Sequence, residues 1–219
     1  MLEEAAANGS AIDSFVKTRL GLLLMGQGDY EKALPLLRDA AGAANAYPSA
    51  AFFHALCLQQ AGLTAEAMVD YDRIMTAGGE YAGEAGLQLA TLFLEQDNAG
   101  KANDLLSRAK QLGGASARAY TIEGRIRLQE GDQAAAQQAF LSAVKTDPDY
   151  SPAHLENGLL YIGRGVLGEG LRELEQYLAL VGEDRAGTRA TEIEVLVEQL
   201  KQTMQKDAGA AAPKQGGAQ

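Results

Sequence analysis

Small residues recur along this chain at a spacing that leaves few folds open. They fall at Ala33, Ala67, Ala102, Ala136 and Gly170, with a second series upstream at Gly21, Ala55, Ala90, Gly124 and Gly158. A bulky series follows at Leu37, Tyr71, Leu106, Phe140 and Leu174. In all three series the steps are 34, 35, 34 and 34 residues. A fixed period of this length marks stacked repeats, each burying its apolar face against its neighbours. It shifts the functional question from a reaction to a partner.

Each period reads as two helices. Breaks come at regular steps: GQGD at 26–29, AGLT at 61–64, QDNAG at 96–100, EGDQ at 130–133 and GRGVLG at 163–168. Between them, apolar residues step by three and four, as in Leu20, Leu23, Leu24 and then Ala33, Leu36, Leu37, Ala40. That spacing puts one apolar stripe on a helix. Asp29, Thr64, Asn98 and Asp132 stand where a second helix would begin and can cap its free N–H groups. No alternating strand pattern stands out. The reading is eleven helices: five antiparallel pairs and one more over 188–206. Pro35 lies about one turn into its helix and is expected to kink it.

These residues resemble the tetratricopeptide repeat (TPR) family. Residues 117–150 carry Tyr120, Gly124, Gly131, Asp132, Ala136, Phe140, Ala143 and Pro148 at the family's key spacings. Residues 14–47 carry Leu20, Gly21, Gly28, Asp29, Tyr30, Ala33, Leu37 and Ala40. Copies at 48–81, 83–116 and 151–184 stay in register, with one residue inserted between the second and third. The resemblance implies an all-α, right-handed α-solenoid of five TPR-like hairpins, with 188–206 as a C-terminal capping helix. Its stripe is Ile193, Leu196, Val197, Leu200 and Met204. The repeat domain is expected over 12–206, between a flexible segment 1–11 and a disordered tail 207–219. The usual large residue at repeat position four is Lys17, Ala51, Gly86, Tyr120 and His154 here, so repeats two and three are expected to pack less tightly.

Charge and composition narrow the partners. The formal net charge is −10 over 219 residues. That argues against nucleic acid and anionic membrane, which both need a basic footprint. A single cysteine excludes an intramolecular disulfide and a cysteine-based metal site. No apolar run reaches the length of a membrane span. The opening MLEEAAANGS lacks the basic and apolar parts of an export signal. The cytoplasm is therefore expected, or a periplasmic or anchored place if the chain is a piece of a longer one. The abundance of alanine and glycine suggests a bacterial source.

Three features imitate chemistry. Gly163, Gly165 and Gly168 spell GxGxxG after the apolar run LLYI, but a dinucleotide site needs a parallel sheet. The repeat register places Gly165 with Gly28, Gly62 and Gly131 at the inter-helix turn instead. His54 and Cys57 stand three apart on one helix, yet a nucleophilic cysteine needs a lowered pKa and a third, orienting group. Cys57 is expected to be packed. His154 is expected to be buried and hydrogen-bonded, and two histidines without HxxxH or HExxH spacing give no metal motif. No catalytic residue, cofactor or metal is expected.

In TPR arrays the first helix of each pair lines a concave surface, and the resemblance implies that repeat positions 2, 5, 9, 12 and 13 face it. Here they give Leu22 and Met25, then Phe52, Leu56 and Gln59, then Glu84, Leu87, Thr91 and Leu94. Arg118, Thr121, Arg125 and Leu128 follow, and last come Leu155, Leu159 and Ile162. The lining is largely apolar with one basic pair, and contiguous exposed apolar surface marks interaction sites. Family members that clamp chaperone C-termini use lysine, asparagine and arginine at set groove positions. Thr18, Leu22 and Phe53 depart from that pattern. The expectation is a non-enzymatic adaptor binding a protein or peptide segment, with self-association a further possibility. A chaperone shielding apolar client segments is the alternative within binding. A nucleotide-binding or cysteine-dependent enzyme is the alternative of another class.

Overall fold

The computed structural model describes residues 11–182 and 188–211. Those residues form eleven α-helices and no strand. They are α1 (Ala11–Gly26), α2 (Tyr30–Gly42), α3 (Ala50–Gln60), α4 (Thr64–Ala77), α5 (Ala82–Glu95), α6 (Ala99–Ala109), α7 (Ala117–Gln129), α8 (Gln133–Thr146), α9 (Ser151–Gly163), α10 (Leu167–Val181) and α11 (Thr188–Ala211). A π-helical turn, Lys110–Gly114, follows α6. The all-α class, the five hairpins and the final helix match the expectation. Of the expected flexible segment 1–11, residues 1–10 lie outside the described residues. So do 212–219 of the expected tail, while 207–211 belong to α11.

The chain divides into two compact units, one holding α1–α6 and the other α7–α11. Within the first, each helix packs on the next, from α1 on α2 through to α5 on α6. Within the second, α7 packs on α8, α8 on α9, α9 on α10, and α10 on α11. Adjacent first helices of hairpins also touch, α1 with α3 and α7 with α9.

The small and bulky series mesh inside the hairpins. A Cβ placed on Gly21 would come within 2.6 Å of Leu37 Cγ, and one on Gly158 within 2.8 Å of Leu174 Cδ2. At Gly124 it would run into the ring of Phe140. Small residues let the two helices approach until the bulky partner fills the gap. Ala33, Ala67, Ala102 and Ala136 are wholly buried, as are Leu37, Tyr71 and Phe140. Enclosing one such large apolar side chain contributes about 1.5–3 kcal/mol.

The turns follow the same register. Gly131 (φ +82°) and Gly165 (φ +77°) occupy left-handed positions between the helices of their hairpins, where a side chain is strained. In the third repeat the place is held by Asp97 at φ 57°. Asp29, Asn98 and Asp132 accept hydrogen bonds from the N–H groups of Lys32, Lys101 and Ala135 as N-caps. Thr64 does not cap: it is already the first helical residue, and Leu63 holds the N-cap position without a side-chain bond. Ser116, which spacing alone did not single out, caps α7 through Ala119 N–H.

Helix α2 runs on through Pro35 to Gly42, about two further turns. One packing expectation is corrected. In the third repeat Gly86 does not leave slack, because a Cβ there would meet Ala109 Cβ at 2.7 Å and Met75 Sδ at 3.1 Å. Glycine admits α6 and α4 to close range, and α5 is buried along most of its length.

Candidate first-helix binding faces

The residues expected to line a groove divide into those that present surface and those that do not. In the first unit Leu22, Met25, Leu56, Gln59, Glu84 and Thr91 are half-buried. Phe52, Leu87 and Leu94 are buried, with Leu87 at 0 % exposure. In the second unit Arg118, Arg125 and Leu128 are half-buried and Thr121 is buried. Phe52, Leu87 and Thr121 share repeat position five, which here points into packing between helices. The expectation that these four buried residues line an open surface is therefore corrected. Phe52 instead stacks on Tyr81 at 5.2 Å between ring centroids and leans on Tyr71 at 5.9 Å. Thr121 Oγ1 donates to the Ala117 carbonyl at 3.0 Å.

The half-buried members are held from beneath. Met25 packs on Ala33, Leu37 and Cys57. Gln59 Oε1 accepts a hydrogen bond from Tyr71 O–H at 2.9 Å. Thr91 Oγ1 donates to the Leu87 carbonyl at 2.9 Å. Leu128 packs against Phe140 and Leu160. Leu155, Leu159 and Ile162 lie half-buried on the cluster formed by Leu174, Tyr177, Ile193 and Val197. Helix α11 thus supports the last hairpin's part of the face through its expected stripe.

The second unit adds a charged group that spacing did not reveal. Arg125 Nε stands 3.8 Å from Glu156 Oε1, with the two side chains 38 % and 28 % exposed. Burial pushes the Glu156 carboxyl above its ordinary range, against the pull of Arg125 and Arg189. Glu156 follows Leu155 by one residue, off the expected repeat positions. Only the packing of α7, α9 and α11 reveals it.

The chemical imitations dissolve into structure. The run 159–162 is part of α9, not a strand, and 164–166 form the turn into α10. Cys57 is 0 % exposed and burial pushes its thiol up, the reverse of an activated nucleophile. His54 Nδ1 is turned to Asp70 at 2.7 Å. His154 is buried, with Nδ1 at 2.6 Å from Glu173 Oε2 and Nε2 at 2.9 Å from the Pro148 carbonyl. Both carboxylates stand at the same place in their repeats, so each pair ties a first helix to its second. Among the described residues, no group of three His, Cys, Asp or Glu side chains could hold a metal, and no helix is long and apolar enough to cross a membrane.

Antiparallel hairpins in a 34-residue register define a helical-repeat protein. Residues 117–150 match the family model of the tetratricopeptide repeat. That segment is matched directly as a tetratricopeptide repeat, and the other hairpins share its helical-repeat fold. Its fold is similar to that of TTC0263, a thermophilic TPR protein in Thermus thermophilus, with a TM-score of 0.65, 19 % identity, and coverage of 85 % of this chain and 98 % of that one. PilW, a widely conserved type IV pilus biogenesis factor, superposes with a TM-score of 0.68 at 16 % identity, covering 88 % of this chain and 87 % of its own. YrrB, a TPR protein with an unusual peptide-binding site, gives 0.56 at 18 % identity, covering 90 % and 97 %. No curated protein matches the sequence significantly.

Proposed function

We propose that the protein is a non-enzymatic interaction scaffold that holds a short segment of a partner protein on its first-helix faces, within a bacterial multiprotein assembly. The observation that carries this reading is the set of half-buried apolar residues Leu22, Met25 and Leu56, with Met25 seated on the buried cluster of Ala33, Leu37 and Cys57. Firmly seated apolar side chains with part of their surface in water suit a partner's own apolar side chains, because little ordering remains to oppose binding. In the second unit Leu159 and Arg125 offer an apolar and a charged contact on two first helices that touch. The fold similarity to YrrB, with its unusual peptide-binding site, and to PilW, a biogenesis factor, supports a binding role. The burial of Cys57 and the helical context of the GxGxxG run support a chain without catalysis.

The test is affinity capture with wild type, Leu56→Glu and Arg125→Glu, each checked by circular dichroism for unchanged helicity. A captured partner's binding segment is then titrated against all three. At least tenfold weaker binding to one variant, about 1.4 kcal/mol, is expected. Equal affinity for all three overturns the reading.

A further inference from the structure

Helix α1 keeps the residues of an internal repeat but leaves them in water. Repeat positions three, seven and ten of the second repeat are Ala50, His54 and Cys57, all buried, on a helix that packs on both helices of the preceding hairpin. In the third repeat they are Ala85, Leu89 and Leu92, again buried. In α1 the same positions are Val16, Leu20 and Leu23, exposed by 43 %, 45 % and 65 %. Ile12, one turn earlier on the same stripe, is 65 % exposed. No described residue covers them. A scatter of single apolar residues needs no explanation, but an aligned stripe on one helix does. Arg19 lies beside the stripe, exposed and without an ion-pair partner among the described residues.

The other end of the chain carries a surface of matching character. Between α10 and α11 runs an open cleft of about 730 Å3. Its apolar lining includes Leu178, Ala179 and Val195, the last 54 % exposed. Its rim carries Glu175, Glu194 and Glu198 against a single Lys201. Lys201 is already shared between Glu175 at 2.9 Å and Glu198 at 3.6 Å. The rim is thus acidic, where α1 brings one arginine with its apolar stripe.

We propose that the α1 stripe of one copy docks head to tail into the α10–α11 cleft of a second copy of this chain. The stripe would then bury the positions that the first helices of the second and third repeats bury, and Arg19 would meet the acidic rim. Two α1 helices facing each other would pair the stripes but leave the acidic rim without its arginine. A head-to-tail contact differs from a two-fold one in that it continues from copy to copy unless a ring closes.

Sedimentation equilibrium over a hundredfold concentration range tests this with wild type, Leu23→Glu and Val195→Glu. Both positions are largely exposed, so the substitutions spare the core, and Ile12→Glu serves if Leu23→Glu fails to fold. Wild type is expected to rise in mass well above the 23.1 kDa monomer with concentration. Each variant alone is expected to stay monomeric. Mixed, they are expected to form a one-to-one dimer and stop there, because one intact head meets one intact tail. A monomeric wild type overturns the proposal and assigns the stripe to the first ten residues or to another protein. Val195→Glu associating like wild type, or a mixture that stays monomeric, also overturns it, the former in favour of a two-fold α1 contact.

Discussion

Gly124 in α7 lies so close to the ring of Phe140 in α8 that no side chain fits between them. The pair sits at the centre of the fourth hairpin, with Phe140 fully buried. Gly124→Ala forces the ring aside and is expected to cost about 1–3 kcal/mol of stability. Gly131→Ala, a few residues on, meets no atom within 4 Å but keeps φ +82°. It is expected to cost about 1 kcal/mol, through backbone strain alone. Urea unfolding of both variants checks the order. Adding Phe140→Leu to each is expected to restore part of the first loss and none of the second.

Asn157 is wholly buried in α9, and neither its Nδ2 nor its Oδ1 has a hydrogen-bond partner among the described residues. A polar group left so costs more than its apolar counterpart of similar volume. Asn157→Leu is therefore expected to stabilise the protein by about 1–2 kcal/mol. A rise in the midpoint of thermal unfolding supports this, and a fall shows that the amide is satisfied in solution.

Glu156 gives a pH signature. Its carboxyl is raised above the ordinary 4.5, so the folded state holds the proton more tightly than the unfolded state. The ionised form is penalised at neutral pH, and the penalty disappears as pH falls through the folded value and then the unfolded one. Glu156→Gln is expected to raise the unfolding temperature at pH 7. The difference from wild type is expected to shrink as the pH is lowered toward about 4. A constant difference across that range contradicts the assignment.

Cys57 is sealed within the first unit and its thiol is pushed up by burial. Native protein is expected to resist a thiol reagent such as dithionitrobenzoate, with full reaction only on unfolding. Fast labelling of the folded protein would contradict the burial.

Much of the architecture was legible because the meshing of Gly21 with Leu37, or Gly158 with Leu174, requires the small and bulky residues to recur in step. Helix starts at Asp29, Asn98 and Asp132 were legible because a carboxylate or amide before an apolar run has a direct local role. Thr64 misled because a hydroxyl can also sit as the first helical residue. The binding face was less legible. Repeat position five reads the same in Phe52, Leu87, Thr121 and Leu155, but its exposure depends on how closely adjacent first helices meet. The pairing of Glu156 with Arg125 crosses from one repeat to the next, and Tyr81 stacks on Phe52 from the far end of the same repeat, contacts that the spacing of small and bulky residues does not record. The exposed stripe of α1 was hidden for the opposite reason: Val16, Leu20 and Leu23 look like any buried set until their missing neighbour is seen.

The most direct test of the scaffold account places a photo-reactive benzoylphenylalanine at Leu56 or Arg125 on first helices, and at Glu66 or Lys145 on second helices, in cells. The account predicts an adduct with the same partner from Leu56, Arg125 or both, and none from Glu66 or Lys145. Adducts from the second-helix positions alone, or from none of the four, would contradict it.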